Sequence, residues 1–399
     1  MASSGLKVIS IGLDLTIALV DPSVGSRGDA RRRQEEYAEL VSSYTAIVKT
    51  PRSNRYQPYR WGGSHAVLPT LSTSAWRFPL DAYRLAARVV GEQGADLVVT
   101  QDPFSTGLAG YWLKKRLGVP LCIQVHNDMI GCRWWMRESP VNRAMEPLGA
   151  WLVRQADTVQ VVSHTIRDRL VARGMDPSRA WNIMTGAGID SRQFREADGS
   201  ELRARLLGGE HSWLVLFMGR LVKQKDLPTL LQAASIVAQV RPEALFLLVG
   251  DGEERPRLEA LVRGLELEDN VRIPAGVGPE EAPRYFAACD IFVMSSLYEG
   301  KARALVEAAC AAKPIVTTEV SGADEVVVEG ETGHLVPVRD PSALADRILR
   351  LLDDPERARQ MGLRGRELNC ERYDRKNSLQ QMARMWEATA AAARPRTEY

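Results

Sequence analysis

The chain has 399 residues, 52 Lys+Arg against 50 Asp+Glu, and 45% apolar side chains. This composition excludes a disordered polymer, and it argues against a nucleic-acid partner, which calls for a strong net basic excess or one dense basic segment. At roughly 100 to 200 residues per domain the length implies two or three domains, each able to bury its own core.

Short β-branched runs alternate with helix-length amphipathic segments along the chain. In the first half the runs are Lys7–Gly12, Ala46–Thr50, Asp96–Thr100, Pro120–Val125 and Thr158–Val162, with a helix over Leu80–Val90. In the second half they are Trp213–Met218, Ala244–Gly250, Val271–Pro274, Ile291–Met294 and Pro314–Thr318, with helices over Leu227–Val240 and Pro341–Leu352. Continuous apolar strands separated by helices predict parallel sheets covered on both faces. Between the halves, Gly186–Ser212 combines turn residues with charge and reads as the interdomain connection. The expected fold is α/β, with two doubly wound Rossmann-like domains at 1–192 and 193–375 facing a shared cleft, and a last helix at 376–393 packing back on the first domain. Met382, Met385 and Trp386 mark the apolar face of that helix. Open α/β sheets bind ligands outside the carboxyl ends of their strands, so the chemistry is sought in strand-end loops.

The cysteines Cys122, Cys132, Cys289, Cys310 and Cys370 are widely spaced, odd in number and lack a C-x-x-C pair, against a disulfide scaffold or zinc ribbon. Met1–Val8 carries no export core, and no apolar run reaches the ~18 residues of a membrane span. The expectation is a cytoplasmic protein. Peripheral contact with the inner face of the membrane stays open, because a surface patch needs no span.

Two strand-end segments carry the chemistry. After WLVLFM comes Gly219-Arg220-Leu221-Val222-Lys223-Gln224-Lys225. A glycine there lets backbone approach a ligand, Arg220 offers a planar fork for phosphate oxygens and Lys225 a point charge, although a solvated basic loop reads the same way. The second segment, Ser295–Ala309, holds Glu299 and Glu307 eight positions apart, with Gly300 after the first. On one helix that separation means about 12 Å of rise and about 80° of rotation, too far for both carboxylates to hold one metal. If Glu299 lies in the loop and a helix starts near Arg303, the free N–H groups of the first turn face an anion, and the two glutamates accept hydroxyl hydrogen bonds on either side of it. That picture requires both carboxylates to face the ligand instead of being buried in packing.

The run GRLVKQK, LLVGDGEE, EGKARALVEA, KPIVTTEVSGADEVV and ETGHLVPVRDP resembles, in order and spacing, the donor-binding half of retaining glycosyltransferases of family four, which have the GT-B fold. The first half matches more loosely, through VTQDPFSTGLAGYWLKKRLGVP, QVHND and QADTVQVVS. The resemblance implies a nucleoside-diphosphate-sugar donor, a hydroxyl acceptor of glycan, lipid-linked or small-molecule type, and retention without a protein nucleophile. By position it implies that Arg220 and Lys225 bind the diphosphate with Gly219 beside them, that Glu307 holds the ribose, and that Glu299 holds the transferred sugar. The backbone around Gly300, Ala304 and Leu305 completes the phosphate site. His126, at a strand end, is implied to lie beside the donor sugar, as a positioning group.

Gly28, in the loop Asp21–Asp29, reads either as a simple helix start or as backbone close to the donor. Arg31, Arg32 and Arg33 cannot share one helical face, so most of their charge is expected in solvent. Where the family often has Phe and Gly after Glu-Gly, this chain has Lys301 and Ala302. Lys301 is expected either to contact an acidic group of a substrate or to face solvent. Trp134 and Trp135 read as a sugar platform, a lipid-facing edge or core. Asp251-Gly252-Glu253 comes nearest to a metal-binding Asp-x-Asp but reads as a turn into a helix. No metal and no cofactor are expected. Alternatives are a sugar-nucleotide epimerase of the same architecture, a non-catalytic binding protein and a dinucleotide-dependent oxidoreductase. The last is weakest, since no G-x-G-x-x-G follows the first strand.

Overall fold

The computed structural model describes residues 4–19, 30–53, 55–184 and 189–392. The chain divides into two compact units, the first Met1–Gly188 with Lys376–Tyr399, the second Ile189–Arg375. Each is an α/β unit with a mainly parallel sheet.

The first unit contains β1 (Ser4–Gly12), β2 (Val41–Val48), β3 (Tyr59–Trp61), β4 (His65–Pro69), β5 (Leu97–Thr100), β6 (Leu121–Val125), β7 (Thr158–Val161) and β8 (Ala180–Asn182). They form one sheet in the order β3-β4-β2-β1-β5-β6-β7-β8. Every neighbouring pair is parallel except β3 with β4. β5, β6 and β7 are buried at every position, as their continuous apolar sequence requires of strands covered on both faces.

The second unit contains β9 (Trp213–Met218), β10 (Ala244–Val249), β11 (Val271–Arg272), β12 (Ile291–Met294), β13 (Ile315–Thr318) and β14 (Gly333–Val336). Its sheet runs β11-β10-β9-β12-β13-β14, all parallel. The order is not sequential at β9, whose neighbours are β10 and β12. The chain therefore reverses its winding there, and the carboxyl ends of β9 and β12 flank the switch point where doubly wound sheets take ligands.

The boundary between the units, Gly188 to Ile189, falls within the stretch read as the interdomain connection, and from Ile189 onward that stretch is folded into the second unit. It holds helices Ser191–Glu196 and Ser200–Leu207. Phe194 meets Phe286 edge to face at 5.6 Å between ring centroids. A Cβ at Gly199 would fall 2.3 Å from the Ala288 nitrogen, so this turn packs directly on the helix Ala282–Ala288. The charged helix surface hid that packing in the sequence.

The last helix, Arg375–Ala392, buries Met382, Met385, Trp386 and Ala390 in a core shared with Tyr37, Tyr44 and Val99 of the first unit. Trp386 stacks on Tyr44 and meets Tyr37 edge to face, at 6.4 and 5.7 Å between ring centroids. The Thr389 and Thr158 hydroxyls lie 2.8 Å apart, which ties the helix to β7. All five cysteines are buried and free. Among the described residues no helix is long and apolar enough to cross a membrane.

Because Trp386 is 1% exposed and fills the gap between two tyrosines, Trp386→Ala is expected to destabilise the first unit by about 3 to 5 kcal/mol. Urea denaturation followed by tyrosine and tryptophan fluorescence checks this, and an unshifted midpoint would mean that the helix is not part of that core.

Candidate active site

In the second unit the loops after β9 and β12 are stitched together. Leu297 N–H donates to the Gln224 carbonyl at 2.8 Å. Gln224 Nε2 donates to the Tyr298 carbonyl at 2.8 Å, and Ser295 Oγ donates to the Lys225 carbonyl at 2.8 Å. The fourth stitch is ionic: Lys225 Nζ donates to Glu299 Oε1, and the two side chains are only 14% and 9% exposed. Gln224, absent from the sequence reading, supplies both an acceptor and a donor. Its only signal was its place inside GRLVKQK.

This changes one expectation. Lys225 and Glu299 were read as separate grips on phosphate and sugar, and the structure joins them. Glu299 is 7% exposed, with its carboxylate paired to the Lys225 ammonium. Lys225 uses one carboxylate oxygen of roughly four acceptor sites, so capacity for hydroxyl donors remains. Asp226 follows at φ 44°, a conformation non-glycine residues rarely adopt, and begins the helix Leu227–Val240 with its carboxylate accepting from Thr229 Oγ1 at 2.8 Å. Arg220, by contrast, is exposed. A Cβ at Gly219 would crowd the Phe217 ring at 3.3 Å and the Lys225 side chain at 3.7 Å.

The helix Arg303–Cys310 begins after Ala302, which is extended at φ −66°, ψ 110° and provides no side-chain cap. First-turn N–H groups without a cap form an anion-binding end. Leu305 N–H, read as one of them, instead donates to the Ala302 carbonyl at 3.1 Å. Ala304 N–H lies one residue ahead of that bond. Glu307 is 14% exposed and accepts from Arg303 Nε at 2.8 Å, one turn back on the same helix. Ser296 Oγ, at the end of β12, is buried without a hydrogen-bond partner, while Thr318 Oγ1 donates to the Ser296 carbonyl at 2.7 Å.

Lys301 corrects the sequence reading most sharply. It does not face solvent. Its side chain is 2% exposed, its ammonium lies 2.8 Å from Glu325 Oε2 and 3.3 Å from the Tyr373 hydroxyl, and it sits over the Tyr373 ring at 4.7 Å.

The Gly250-Asp251-Gly252 turn is a close backbone crossing. A Cβ at Gly250 would fall 1.8 Å from the Gly219 carbonyl oxygen, and one at Gly252 2.1 Å from that of Leu221. Asp251 accepts from Gly276 N–H at 3.1 Å, and Arg255 Nη1 and Nη2 donate to the Ile273 and Pro274 carbonyls at 2.7 and 2.8 Å. These residues hold the loop after β11 against the strand ends. No group of three or more His, Cys, Asp or Glu that could hold a metal occurs among the described residues.

The first unit carries the rest. His126 follows β6, half-buried, and burial together with the nearby Arg33 charge pushes its pKa down to about 4, so the imidazole is neutral at pH 7. In the Arg31–Arg33 run, whose charge was expected mostly in solvent, Arg31 pairs with Glu35 at 3.3 Å and Arg32 with Glu36 at 3.2 Å. Asp128, two residues on, is buried and held by Arg169. Trp135 stacks on Phe104 at 5.3 Å, and Trp134 lies under Arg133 and Arg137, so neither is fully buried core. Beyond β2 and β4 a cavity of about 550 Å³ is lined by Arg52, Gln57, Thr70, Thr73, Arg77 and Asp81, and Trp76 in the same loop is 81% exposed. Gly28 lies outside the described residues.

Two parallel-sheet Rossmann-like units are the architecture of the GT-B fold. Two family models match the chain, glycosyl transferases group 1 over residues 199–368 and glycosyltransferase family 4 over residues 35–187. The chain belongs to the family 4 glycosyltransferases. It is 28% identical over 273 residues to the alpha-D-kanosaminyltransferase of Streptomyces kanamyceticus, covering 66% of this chain and 69% of that one. It is 26% identical over 341 residues to the GDP-mannose-dependent alpha-(1-6)-phosphatidylinositol monomannoside mannosyltransferase of Mycolicibacterium smegmatis, covering 82% and 86%. Its fold matches that of Anabaena HepE, solved in complex with UDP and glucose, with a TM-score of 0.76 at 19% identity, over 96% of this chain and 100% of that one.

A histidine whose pKa is lowered by folding binds its proton more readily in the unfolded chain. Its contribution to stability is present above about pH 6.5 and is lost as pH falls toward 4. Between pH 7 and pH 5 the native protein should lose about 1 to 2 kcal/mol more than His126→Gln, measured by denaturant unfolding. Parallel pH profiles would show that His126 titrates normally.

Proposed function

We propose that this glycosyltransferase is a retaining enzyme that moves a hexose-type sugar from a nucleoside diphosphate to a hydroxyl acceptor without a metal ion. The observation that carries the reading is the loop pair after β9 and β12. It concentrates Arg220, Lys225, Glu299, the uncapped helix start and Glu307 at the switch point of one sheet.

In this reading the exposed Arg220 fork and the N–H groups near Gly300 and Ala304 take the diphosphate, with Lys225 beside them, held by its pair with Glu299. Glu307 accepts from the ribose hydroxyls and Glu299 from the transferred sugar. The base lies against the loop after β11 that Arg255 holds. Neutral His126 gives the sugar a hydrogen bond without adding a cation, and Gly28 lets backbone come close to the donor. Retention then proceeds by attack on the donor face that the diphosphate leaves, and the rate comes from orientation and from stabilising charge on the departing phosphate.

The relatives support a hexose-type donor, since one is named for a kanosaminyl group and another for GDP-mannose, and the structural neighbour holds UDP and glucose. They differ in base, and the side chains here carry no code that selects uracil over guanine. The acceptor is assigned to the first unit, whose cavity near Arg52 and Arg77 is polar. It is a hydroxyl acceptor of glycan, lipid-linked or small-molecule type, and a lipid-linked one would bring the enzyme to a membrane surface by peripheral contact. The epimerase and oxidoreductase readings gain no support from the site or from the relatives.

A panel of UDP-glucose, UDP-N-acetylglucosamine, GDP-mannose and NAD, scored by thermal shift and donor hydrolysis in excess chelator, tests the proposal. A bound donor at about 100 times its Kd adds roughly 2.7 kcal/mol. With the donor that binds, Glu307→Ala should weaken nucleoside diphosphate binding by about 1.5 to 3 kcal/mol, whereas Glu299→Gln, which keeps an acceptor for Lys225 Nζ, should spare it and depress turnover. Stabilisation by NAD alone, loss of turnover under chelation, or equal loss of binding in both variants would contradict the reading.

A further inference from the structure

Buried ammonium groups are uncommon, and the Lys301 side chain is more deeply buried than either member of the Lys225–Glu299 pair. Burial pulls its pKa below the usual lysine value, and Glu325 acts in the opposite sense. Taking both charges out of water costs so much that an apolar pair of the same volume is often equally stable or more so. Stability is therefore a poor explanation for a lysine here.

Its position supplies a better one. The segment from Ser295 to Ala302 bridges β12 and the helix Arg303–Cys310, and it is held on two sides. Up to Glu299 the segment is held by the loop after β9 and, at the Ser296 carbonyl, by Thr318 Oγ1. After Gly300 the hold changes: Lys301 reaches Glu325 Oε2 at 2.8 Å and the Tyr373 hydroxyl at 3.3 Å. Tyr373 and Arg372 also lock the Glu325 backbone, since Tyr373 Oη and Arg372 Nη1 each donate to its carbonyl at 3.2 Å. Tyr373 is itself at the border of the unit. Its carbonyl accepts from Ile189 N–H at 3.1 Å, and the Ile189 carbonyl accepts from Arg375 N–H at 3.0 Å. Ile189 and Arg375 are the first and last residues of the second unit.

We propose that Lys301 is a positioning residue: its buried pair with Glu325 and its contact with Tyr373 fix Gly300 and the start of the Arg303–Cys310 helix, and so set where the Glu299 carboxylate meets the donor. The proposal rests on the reading of Glu299 as the group that holds the transferred sugar. It makes no use of Lys301 as a substrate ligand. The pair anchors one side of the donor loop to the paired segments where the chain enters and leaves the unit, and the Lys225–Glu299 pair anchors the other.

The test separates geometry from stability. Lys301→Met combined with Glu325→Leu removes both charges together and avoids leaving one unpaired. Glu325→Gln keeps shape and hydrogen-bonding capacity, and it decides the question if the double variant does not fold. With the donor selected from UDP-glucose, UDP-N-acetylglucosamine and GDP-mannose, both variants should show kcat lowered about 10- to 100-fold, the scale of a misplaced reacting group. Binding of UDP or GDP should stay within about threefold of the native protein, and the double variant's melting temperature close to native. Native kcat in Glu325→Gln, or in a double variant with near-native melting temperature, would reduce the pair to a packing element and overturn the proposal. Glu299→Gln is assayed alongside. If it transfers sugar at the native rate, the reading of Glu299 fails and the positioning role falls with it; if it is inactive while the pair variants are fully active, the positioning role fails alone.

Discussion

The Lys225–Glu299 ion pair is the constraint on which the site depends. A lysine and a glutamate from loops 74 positions apart in sequence meet where both are nearly shielded from water. Breaking such a pair by removing one partner leaves an uncompensated buried charge, which costs about 3 to 5 kcal/mol. The neighbouring hydrogen bonds through Gln224 and Ser295 share the same two loops, so the four contacts act as one seam along the carboxyl ends of β9 and β12. The seam fixes Lys225 and Glu299 relative to each other.

Around the seam, small residues and buried charges have geometric reasons. Gly250 and Gly252 permit a crossing that no side chain would tolerate, and this sets the distance between the β9 and β10 loops. Ala302 leaves the following helix without a side-chain cap, and Leu305 N–H closes on the Ala302 carbonyl. Glu307 is then presented one turn along, with Arg303 beside it.

Much of this was legible in the sequence, because long apolar strands and helices such as Leu227–Val240 announce themselves by period. β3, β4, β8 and β14 were missed. They are three to five residues long, and β3 and β8 are half-buried edge strands without an apolar run. The glutamate spacing led to the correct loop and helix, since the helix does start at Arg303. What the sequence could not show was pairing: that Lys225 would neutralise Glu299, that Leu305 N–H would close on Ala302, or that Lys301 would turn inward to Glu325. Each of these depends on a contact between segments distant in sequence or on one local turn. The Arg31-Arg32-Arg33 run illustrates the same limit, since only one of three adjacent identical residues depresses the His126 pKa.

The central claim is that a buried ion pair holds the two loops together, and a double-mutant cycle measures it most directly. Lys225→Met, Glu299→Gln and the combined variant are compared with the native protein by denaturant unfolding. The account predicts that the double variant is more stable than the sum of the single losses implies, with a coupling of about 2 kcal/mol or more. Strictly additive losses would show that the two side chains do not sense each other, and the seam would lose its keystone.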